Sequence, residues 1–534
     1  MTEELSLPGL VRAKADLAPD SVFLRTVAGR TLTYQQADLG SRRLATYLRS
    51  VGIHRGDRVL TMFPTDVEGV LTWMALGWLG AWEVPVNTAY VGAMLAHVAA
   101  DSSASTAVVD ARFAERLIAV LDHTPQLETL VVFGDFTVPA GCRVRVLVNP
   151  DTESSEPWQG PTPYGSDVSC VMYTSGTTGP SKGVVVPWAQ LHATATGVFP
   201  KGALTERDRY YCPFPLCHVS GKHIVTGMAA AGGSAVLRDG FSTSAFWPEI
   251  DAEGCTVTML LGAVANFLYR QDPRPDDDAH PLEKVMMVPI IPEVADFRSR
   301  FGVDVVSIFS MTEVSCPLQT GWVTTPEVGC GWVRPGYDVR VVDELDHPLP
   351  DGEIGELVVR ASEPWVLMNG YWGRPEDTVR AWRNQWFHTG DAFLRRPDGT
   401  FHFADRLKDS IRRRGENISS FEVESAANQY PGVLETAAVA VPSEWGEDEI
   451  KLVFVVKPGA SVDPEALLLH LASTLPHFMV PRYFERVDEL PRTETQKVQK
   501  HILRATGITS KTWDREAAGI SVTRNGVRRQ PYDS

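Results

Sequence analysis

The sequence predicts an α/β protein. A large N-terminal domain of layered α/β subdomains ends in a β-barrel-like part, and a small α+β C-terminal domain follows. Three observations carry this reading. Apolar segments of strand and helix length alternate from the N-terminus to about residue 310, the pattern of a largely parallel sheet covered by crossover helices. From about residue 330 to 403 the alternation gives way to short β segments separated by turns. A charged run, Asp405-Arg406-Leu407-Lys408-Asp409-Ser410, then precedes a fresh mixture of helix and strand. The expected limits are 1–407 for the large domain, with the barrel-like part at about 330–403. The small domain spans 408–505 and a loosely held tail covers 506–534. At 534 residues the chain exceeds what one hydrophobic core holds.

Taken in order, residues 5–18 read as an amphipathic helix, and 22–26 with 31–33 as a hairpin about Gly29. A helix with Ala37, Leu44, Ala45 and Leu48 near one face follows from Tyr34. Residues 58–63 form a strand, 67–79 a buried helix and 80–87 a turn and strand. Helix at 94–100, strand at 107–109, helix at 111–121 and strand at 130–132 complete the first alternation. Residues 150–165, rich in Pro, Gly, Ser and acidic side chains, are a connecting loop. After it, 257–261, 284–288 and 303–309 read as strands and 263–270 as a helix. Strands at 339–342, 356–359, 387–388 and 401–403 mark the barrel-like part. In the small domain, 422–428 and 464–473 are helical and 433–441, 452–456 and 483–487 are strands. Past residue 506 apolar residues are few, which is why a tail is expected.

Composition narrows the function. A formal net charge of −16 disfavours nonspecific binding to nucleic acid or anionic membranes. The longest apolar stretches, near 70–82 and 224–237, fall short of a membrane span. No basic segment followed by an apolar run opens the sequence, and seven cysteines are sparse and odd in number. Together these point to a cytoplasmic protein. Cys212, Cys217, His218 and His223 have a superficially zinc-like spacing. With prolines at 213 and 215 and no Cys-x2-Cys pair anywhere, they read as pocket or core residues.

Residues 172–186, MYTSGTTGPSKGVVV, are the chemical centre of the chain. Apolar segments enter and leave the stretch, so it reads as strand, loop, strand. The loop offers small side chains, hydroxyl donors, unblocked backbone N–H groups and the cation Lys182, the parts needed to surround a polyphosphate. It is not a Walker A loop, because Lys182 is followed by Gly183 and valines rather than by Ser or Thr opening a helix.

The order of these residues resembles the phosphate loop of the adenylate-forming superfamily: acyl-CoA synthetases, peptide-synthetase adenylation domains and beetle luciferases. The resemblance extends over about residues 30–505. Leu32-Thr33-Tyr34 and residues 80–87 match early motifs in which strand and core roles are expected. Ser307-Ile308-Phe309-Ser310-Met311-Thr312-Glu313 matches the motif Tyr-Gly-x-Thr-Glu. By that resemblance Phe309 lies beside adenine, Thr312 reaches phosphate and Glu313 is the Mg²⁺ partner. Thr174, Ser175, Gly176, Thr177, Thr178 and Lys182 would hold phosphate, with Thr174 also counted among the catalytic groups. Trp386-Phe387-His388-Thr389-Gly390-Asp391 matches the Thr-Gly-Asp motif, with Asp391 and Arg406 on the ribose. Lys408 falls at the family's domain hinge, which makes the small domain mobile. Residues 412–424, with Gly415, would line the pantetheine tunnel. Lys497, in Pro491-Arg492-Thr493-Glu494-Thr495-Gln496-Lys497, matches the lysine that bridges substrate carboxylate and α-phosphate. A cation about 4 Å from developing charge contributes about 4 kcal/mol at an effective dielectric of about 20.

The implied activity is an acyl-CoA ligase using ATP, Mg²⁺ and coenzyme A, with a carboxylic acid and CoA as partners. The resemblance leaves room for a homodimer. Among subfamilies, crotonobetaine/carnitine-CoA ligases are most similar, on Ala245-Phe246-Trp247, residues 309–313 and Arg414-Gly415-Glu416-Asn417-Ile418-Ser419. The acyl pocket is expected to involve His218, Val219, Gly221, Lys222, Gly262 and Ala263. The sequence departs from the family where Met287-Val288-Pro289-Ile290-Ile291-Pro292 replaces a glycine-rich adenine cradle, and at Ser310 and Gln496. Three other readings therefore stand beside the ligase: thioester formation only, from a supplied acyl-AMP; loading of a carrier protein; and noncatalytic nucleotide binding.

Overall fold

The computed structural model describes residues 5–174, 181–269, 271–291, 293–323, 325–406, 410–413, 416–443, 446–491, 498 and 500–529. The chain divides into two compact units. The first comprises Met1–Thr88, Ala96–Tyr173 and Gly183–Asp405; the second comprises Ala89–Leu95, Thr174–Lys182 and Arg406–Ser534.

The first unit is built on two large, mostly parallel sheets. One has eight strands in the spatial order Gly370–Tyr371, Lys182–Pro187, Val168–Thr174, Trp82–Pro85, Arg58–Met62, Thr106–Asp110, Thr129–Phe133 and Arg145–Val148. The other has seven, in the order Asp304–Val306, Lys284–Val288, Val257–Leu261, Arg209–Cys212, Ser234–Leu237, Val22–Thr26 and Thr31–Thr33. Strands covered on both faces need near-continuous apolar runs, and Val168–Thr174 is buried along all but its last residue. The helix Val67–Leu79 is buried at every residue except Glu68 and Leu71, which is why its sequence is apolar nearly all round. Asp66 caps its first turn through the Gly69 N–H, and Gly80 ends it at φ 64°, where a side chain would be strained. The helix Tyr34–Ser50 opens with a reciprocal capping box between Thr33 and Gln36.

The expected hairpin about Gly29 is present, with Leu24 opposite Leu32. The run 303–309 is not one strand. It divides into Asp304–Val306 and Ile308–Met311, in different sheets. The break falls at Ser307, whose backbone N–H is taken by the Thr320 hydroxyl at 2.9 Å instead of by a ladder partner. The β-rich part supplies a four-stranded sheet (Tyr337–Val342, Ile354–Ala361, Phe387–Arg395, Phe401–Arg406) and a three-stranded one (Ile308–Met311, Ser315–Gln319, Trp332–Val333). Among the described residues, no helix is long and apolar enough to cross a membrane.

The second unit has a four-stranded sheet, Val433–Pro442, Asp448–Val456, Tyr483–Arg486 and Trp513–Asp514. Its core gathers Val423, Ile450, Leu452, Leu467, Leu471 and Phe484. The expectation of a loose tail from 506 is corrected here. Trp513–Asp514 joins the sheet, and Ile520 and Val522 enter the core. Arg515, 2 % exposed, donates to the carbonyls of Pro481 and Ile520 at 3.1 Å each. An arginine satisfied by backbone carbonyls holds this segment where few apolar side chains are available.

Candidate active site

Two adjacent strands bring the chain to the phosphate stretch and away from it. Thr174 ends Val168–Thr174, and Lys182 opens Lys182–Pro187. Ser175, Gly176, Thr177 and Thr178 lie outside the described residues. The entry is anchored by Tyr173, whose hydroxyl donates to Asp101 Oδ2 at 2.7 Å. Burial, together with that bond to Asp101, pushes the Tyr173 phenol well above its ordinary range, so it stays a donor. At the exit, Gly183 is in tight quarters. A Cβ there would lie 2.6 Å from Val171 Cγ1 and 3.2 Å from the Tyr173 ring, so only glycine lets the two strands meet.

Glu313 follows the strand Ile308–Met311 and is 8 % exposed. The Tyr371 hydroxyl donates to its Oε1 at 3.1 Å, and its backbone carbonyl accepts from the Met368 N–H at 2.9 Å. Burial, with the Glu313 charge beside it, raises the Tyr371 phenol and keeps it protonated. Among the described residues no three His, Cys, Asp or Glu side chains converge as a metal cage. A single buried carboxylate suits Mg²⁺, which is commonly held by one or two carboxylates completed by nucleotide phosphates and water. Thr312 presents its carbonyl to Gln190 Nε2 at 2.6 Å. Phe309, 9 % exposed, packs edge-on to Phe393 at 4.9 Å between ring centroids.

Asp391 lies on Phe387–Arg395 and is 3 % exposed. The turn before it is held by a carboxylate that sequence reasoning missed. Glu356 Oε1 accepts from the Gly390 N–H at 3.0 Å, and Glu356 Oε2 pairs with His388 Nδ1 at 2.9 Å. The Thr389 hydroxyl donates to Leu357 O at 2.7 Å and accepts from the Asp391 N–H at 3.1 Å. Gly390, at φ 71°, makes this turn possible. Arg406 ends the strand Phe401–Arg406, and its side chain is outside the described set. Lys408, Gly415 and Lys497 also lie outside the described residues.

The expected acyl-pocket residues separate into different environments. His218 precedes the helix Val219–Ala231, and its Nε2 lies 3.4 Å from Asn87 Nδ2. Gly221 faces backbone: a Cβ would sit on the Pro215 carbonyl oxygen and 2.9 Å from that of Phe214. Gly262 opens the helix Gly262–Tyr269, which carries Ala263, and abuts Pro289, with a Cβ 3.0 Å from its carbonyl oxygen. The expectation for Lys222 is corrected. Its side chain is 0 % exposed and pairs with Glu83, itself 4 % exposed, and its Nζ stands 3.7 Å over the Trp73 ring. Thr61 Oγ1 donates to the other Glu83 oxygen at 2.9 Å. Lys222 is a neutralised core cation, not a pocket wall. His223 is likewise internal, with Nδ1 3.0 Å from the Val219 carbonyl and burial pushing its imidazole down to about 4.

Comparison with known proteins gives a consistent picture. The family described as "AMP-binding enzyme" matches residues 11–372, and "AMP-binding enzyme C-terminal domain" matches 422–497. A feruloyl-CoA synthase of Amycolatopsis sp is 32 % identical over 497 residues, covering 91 % of this chain and 96 % of that protein. A crotonobetaine/carnitine–CoA ligase of Salmonella agona (strain SL483) is 28 % identical over 488 residues, covering 89 % and 93 %. Among solved structures, an amide bond synthetase, McbA, from Marinactinospora thermotolerans superposes with a TM-score of 0.82 at 24 % identity, covering 94 % of this chain and 99 % of the other. Apo MatB from Rhodopseudomonas palustris gives 0.66 at 25 %, covering 94 % and 98 %.

Proposed function

The chain belongs to the family of AMP-binding enzymes, and from that premise we propose that it is an acyl-CoA ligase. In the first half-reaction a carboxylate oxygen attacks the α-phosphorus of ATP. The bond to the bridging oxygen breaks, and pyrophosphate leaves with acyl-AMP formed. In the second, the CoA sulfur attacks the acyl carbon and AMP departs with the C–O bond's electrons. The roles assigned are phosphate binding by the stretch around Thr174 and Lys182, cation binding by Glu313, and ribose binding by Asp391 and Arg406. Lys497 bridges the carboxylate and α-phosphate, and Lys408 acts as the hinge. Bound Mg²⁺ would offset charge on the phosphates; what this chain contributes is position and exclusion of water.

One observation supports the reading most. Consecutive residues of one segment bond the backbone of Glu313 (from Met368) and of Val185, on the strand leaving the phosphate stretch (from Asn369), each at 2.9 Å. The backbone of the residue assigned to the cation and the strand leaving the phosphate stretch are thus tied to one short segment. For the acid, similarity to the feruloyl-CoA synthase supports an uncharged acyl tail bearing an aromatic ring. Glu83, buried behind the helix after His218, is already neutralised by Lys222 and offers no counter-charge to a quaternary ammonium.

The test is a panel of hydroxycinnamic, benzoic, fatty, terpenoid and betaine acids. Each is assayed separately for pyrophosphate exchange and for CoA consumption from synthetic acyl-AMP. Both activities are expected with at least one aromatic acid, and Glu313→Gln is expected to lower exchange about 10²–10³-fold. CoA consumption without exchange would reduce the protein to a thioester-forming ligase. Transfer to a phosphopantetheinyl carrier with CoA inert would make it a carrier loader. AMP binding with neither half-reaction would overturn catalysis.

A further inference from the structure

Residues 368–374 form a strap bonded to Glu313 and to residues that flank the phosphate stretch. Its backbone N–H groups donate to Glu313 O from Met368 at 2.9 Å, to Val185 O from Asn369 at 2.9 Å and to Gly183 O from Trp372 at 2.7 Å. Gly370 and Tyr371 pair antiparallel with Val185 and Val184, just after the phosphate stretch. The Trp372 indole donates to Asp101 O at 3.0 Å, and Asp101 accepts the Tyr173 hydroxyl at the entry. Arg374 adds an ion pair to Asp101 at 3.5 Å. The strap is therefore bonded to Gly183 and, through Asp101, to Tyr173, the two residues that flank the phosphate stretch. From the middle of it, Tyr371 reaches the Glu313 carboxylate at 3.1 Å.

We propose that Tyr371 is a positioning residue of the adenylation half-reaction, its hydroxyl fixing the rotation of the Glu313 carboxylate relative to the strand that leaves the phosphate loop. This rests on the acyl-CoA ligase reading above. A glutamate carboxylate turns readily about its terminal bond, whereas Mg²⁺ demands near-ideal octahedral geometry at short oxygen distances. A hydrogen bond to one carboxylate oxygen removes that freedom before the cation arrives. Because the Tyr371 backbone is laddered to Val184, the orientation is set in the same frame as the strand that leaves the phosphate stretch. Outer partners of this kind typically change metal affinity or activity about 10–100-fold.

The variant Tyr371→Phe keeps the ring and its packing and removes only the hydroxyl. Two readings are taken beside activity: Mn²⁺ binding in the presence of ATP, followed by electron paramagnetic resonance, and the thermal midpoint. The expected result is a 10–100-fold weaker Mn²⁺–ATP complex and an equal loss in pyrophosphate exchange carried by KM for Mg²⁺–ATP. CoA consumption from synthetic acyl-AMP and the thermal midpoint should stay at parental values. Unchanged Mn²⁺ binding and exchange would overturn the proposal. So would a parallel fall in both half-reactions with a lowered midpoint, which would make Tyr371 a packing residue only. If the parent protein performs no exchange with any acid, it is the ligase reading that fails, and the Mn²⁺–ATP comparison still decides the role of Tyr371.

Discussion

Replacing Lys222 with methionine separates its two interpretations. The ammonium is fully buried, paired with Glu83 and centred 3.7 Å over the Trp73 ring. Methionine fills a similar volume but strands a carboxylate that retains only the Thr61 hydroxyl among these partners. Breaking a buried pair from one side typically costs about 3–5 kcal/mol, and a desolvated cation–π contact adds up to about 2 kcal/mol. Against the roughly 5–15 kcal/mol stability usual for a folded domain, a loss of about 4 kcal/mol is large. Adding Glu83→Gln should recover most of it, since the amide still accepts from Thr61 and carries no charge. The assay is denaturant unfolding of parent, both single variants and the double variant. Tryptophan fluorescence is the natural probe because Trp73 lies against the pair. A coupling of 2 kcal/mol or more is expected, with unchanged selectivity across the acid panel. Parental stability in Lys222→Met with a shifted acid preference would refute the reasoning and return Lys222 to the pocket.

Two further changes test local features. Burial, with Glu68 and Asp110 nearby, lifts the Asp66 carboxyl to about 7 against the Gly69 N–H and Arg112, which act in the other direction. Between its ordinary pKa and about 7 the folded state holds a proton that the unfolded state lacks, so stability falls as pH rises through that window. Asp66→Asn should therefore gain about 2 kcal/mol more, relative to the parent, at pH 8 than at pH 5, its 25 % side-chain exposure having been discounted. Parallel urea-midpoint profiles for the two proteins would contradict this. Gly221→Ala must push a Cβ into backbone carbonyls of Phe214 and Pro215, and a loss of at least about 1–3 kcal/mol is expected in thermal unfolding. An alanine variant of parental stability would mean that the residue faces open space.

Legibility in the sequence followed the range of the interactions. The strands flanking the phosphate stretch were readable because β-branched apolar runs announce buried strands locally. Glu313 and Asp391 stood out as candidates because each sits inside a contiguous motif, and the structure buries both. Lys222 was misread because a lysine four residues after His218 looks like a pocket wall. Its partner, Glu83, is 139 residues away in the chain, and no pattern in sequence pairs the two charges. Glu356 and Tyr371 escaped for the same reason. Each is a single residue between motifs and acquires a role only when Gly390 or Glu313 is brought against it. The segment after 506 was misjudged by composition. Its burial rests on Trp513, Ile520, Val522 and a carbonyl-bound Arg515, too few apolar positions to register as a core element.

That segment also changes what the small unit presents to other molecules. A sheet stopping at Tyr483–Arg486 would display a row of unpaired backbone donors and acceptors, a template for strand addition by a second chain. Trp513 pairs with Phe484 and Asp514 with Tyr483. The Asp514 carboxylate grips the Arg482 guanidinium at 2.9–3.2 Å, holding the short strand in register. Two residues thus cover part of an edge that would otherwise be open to strand addition.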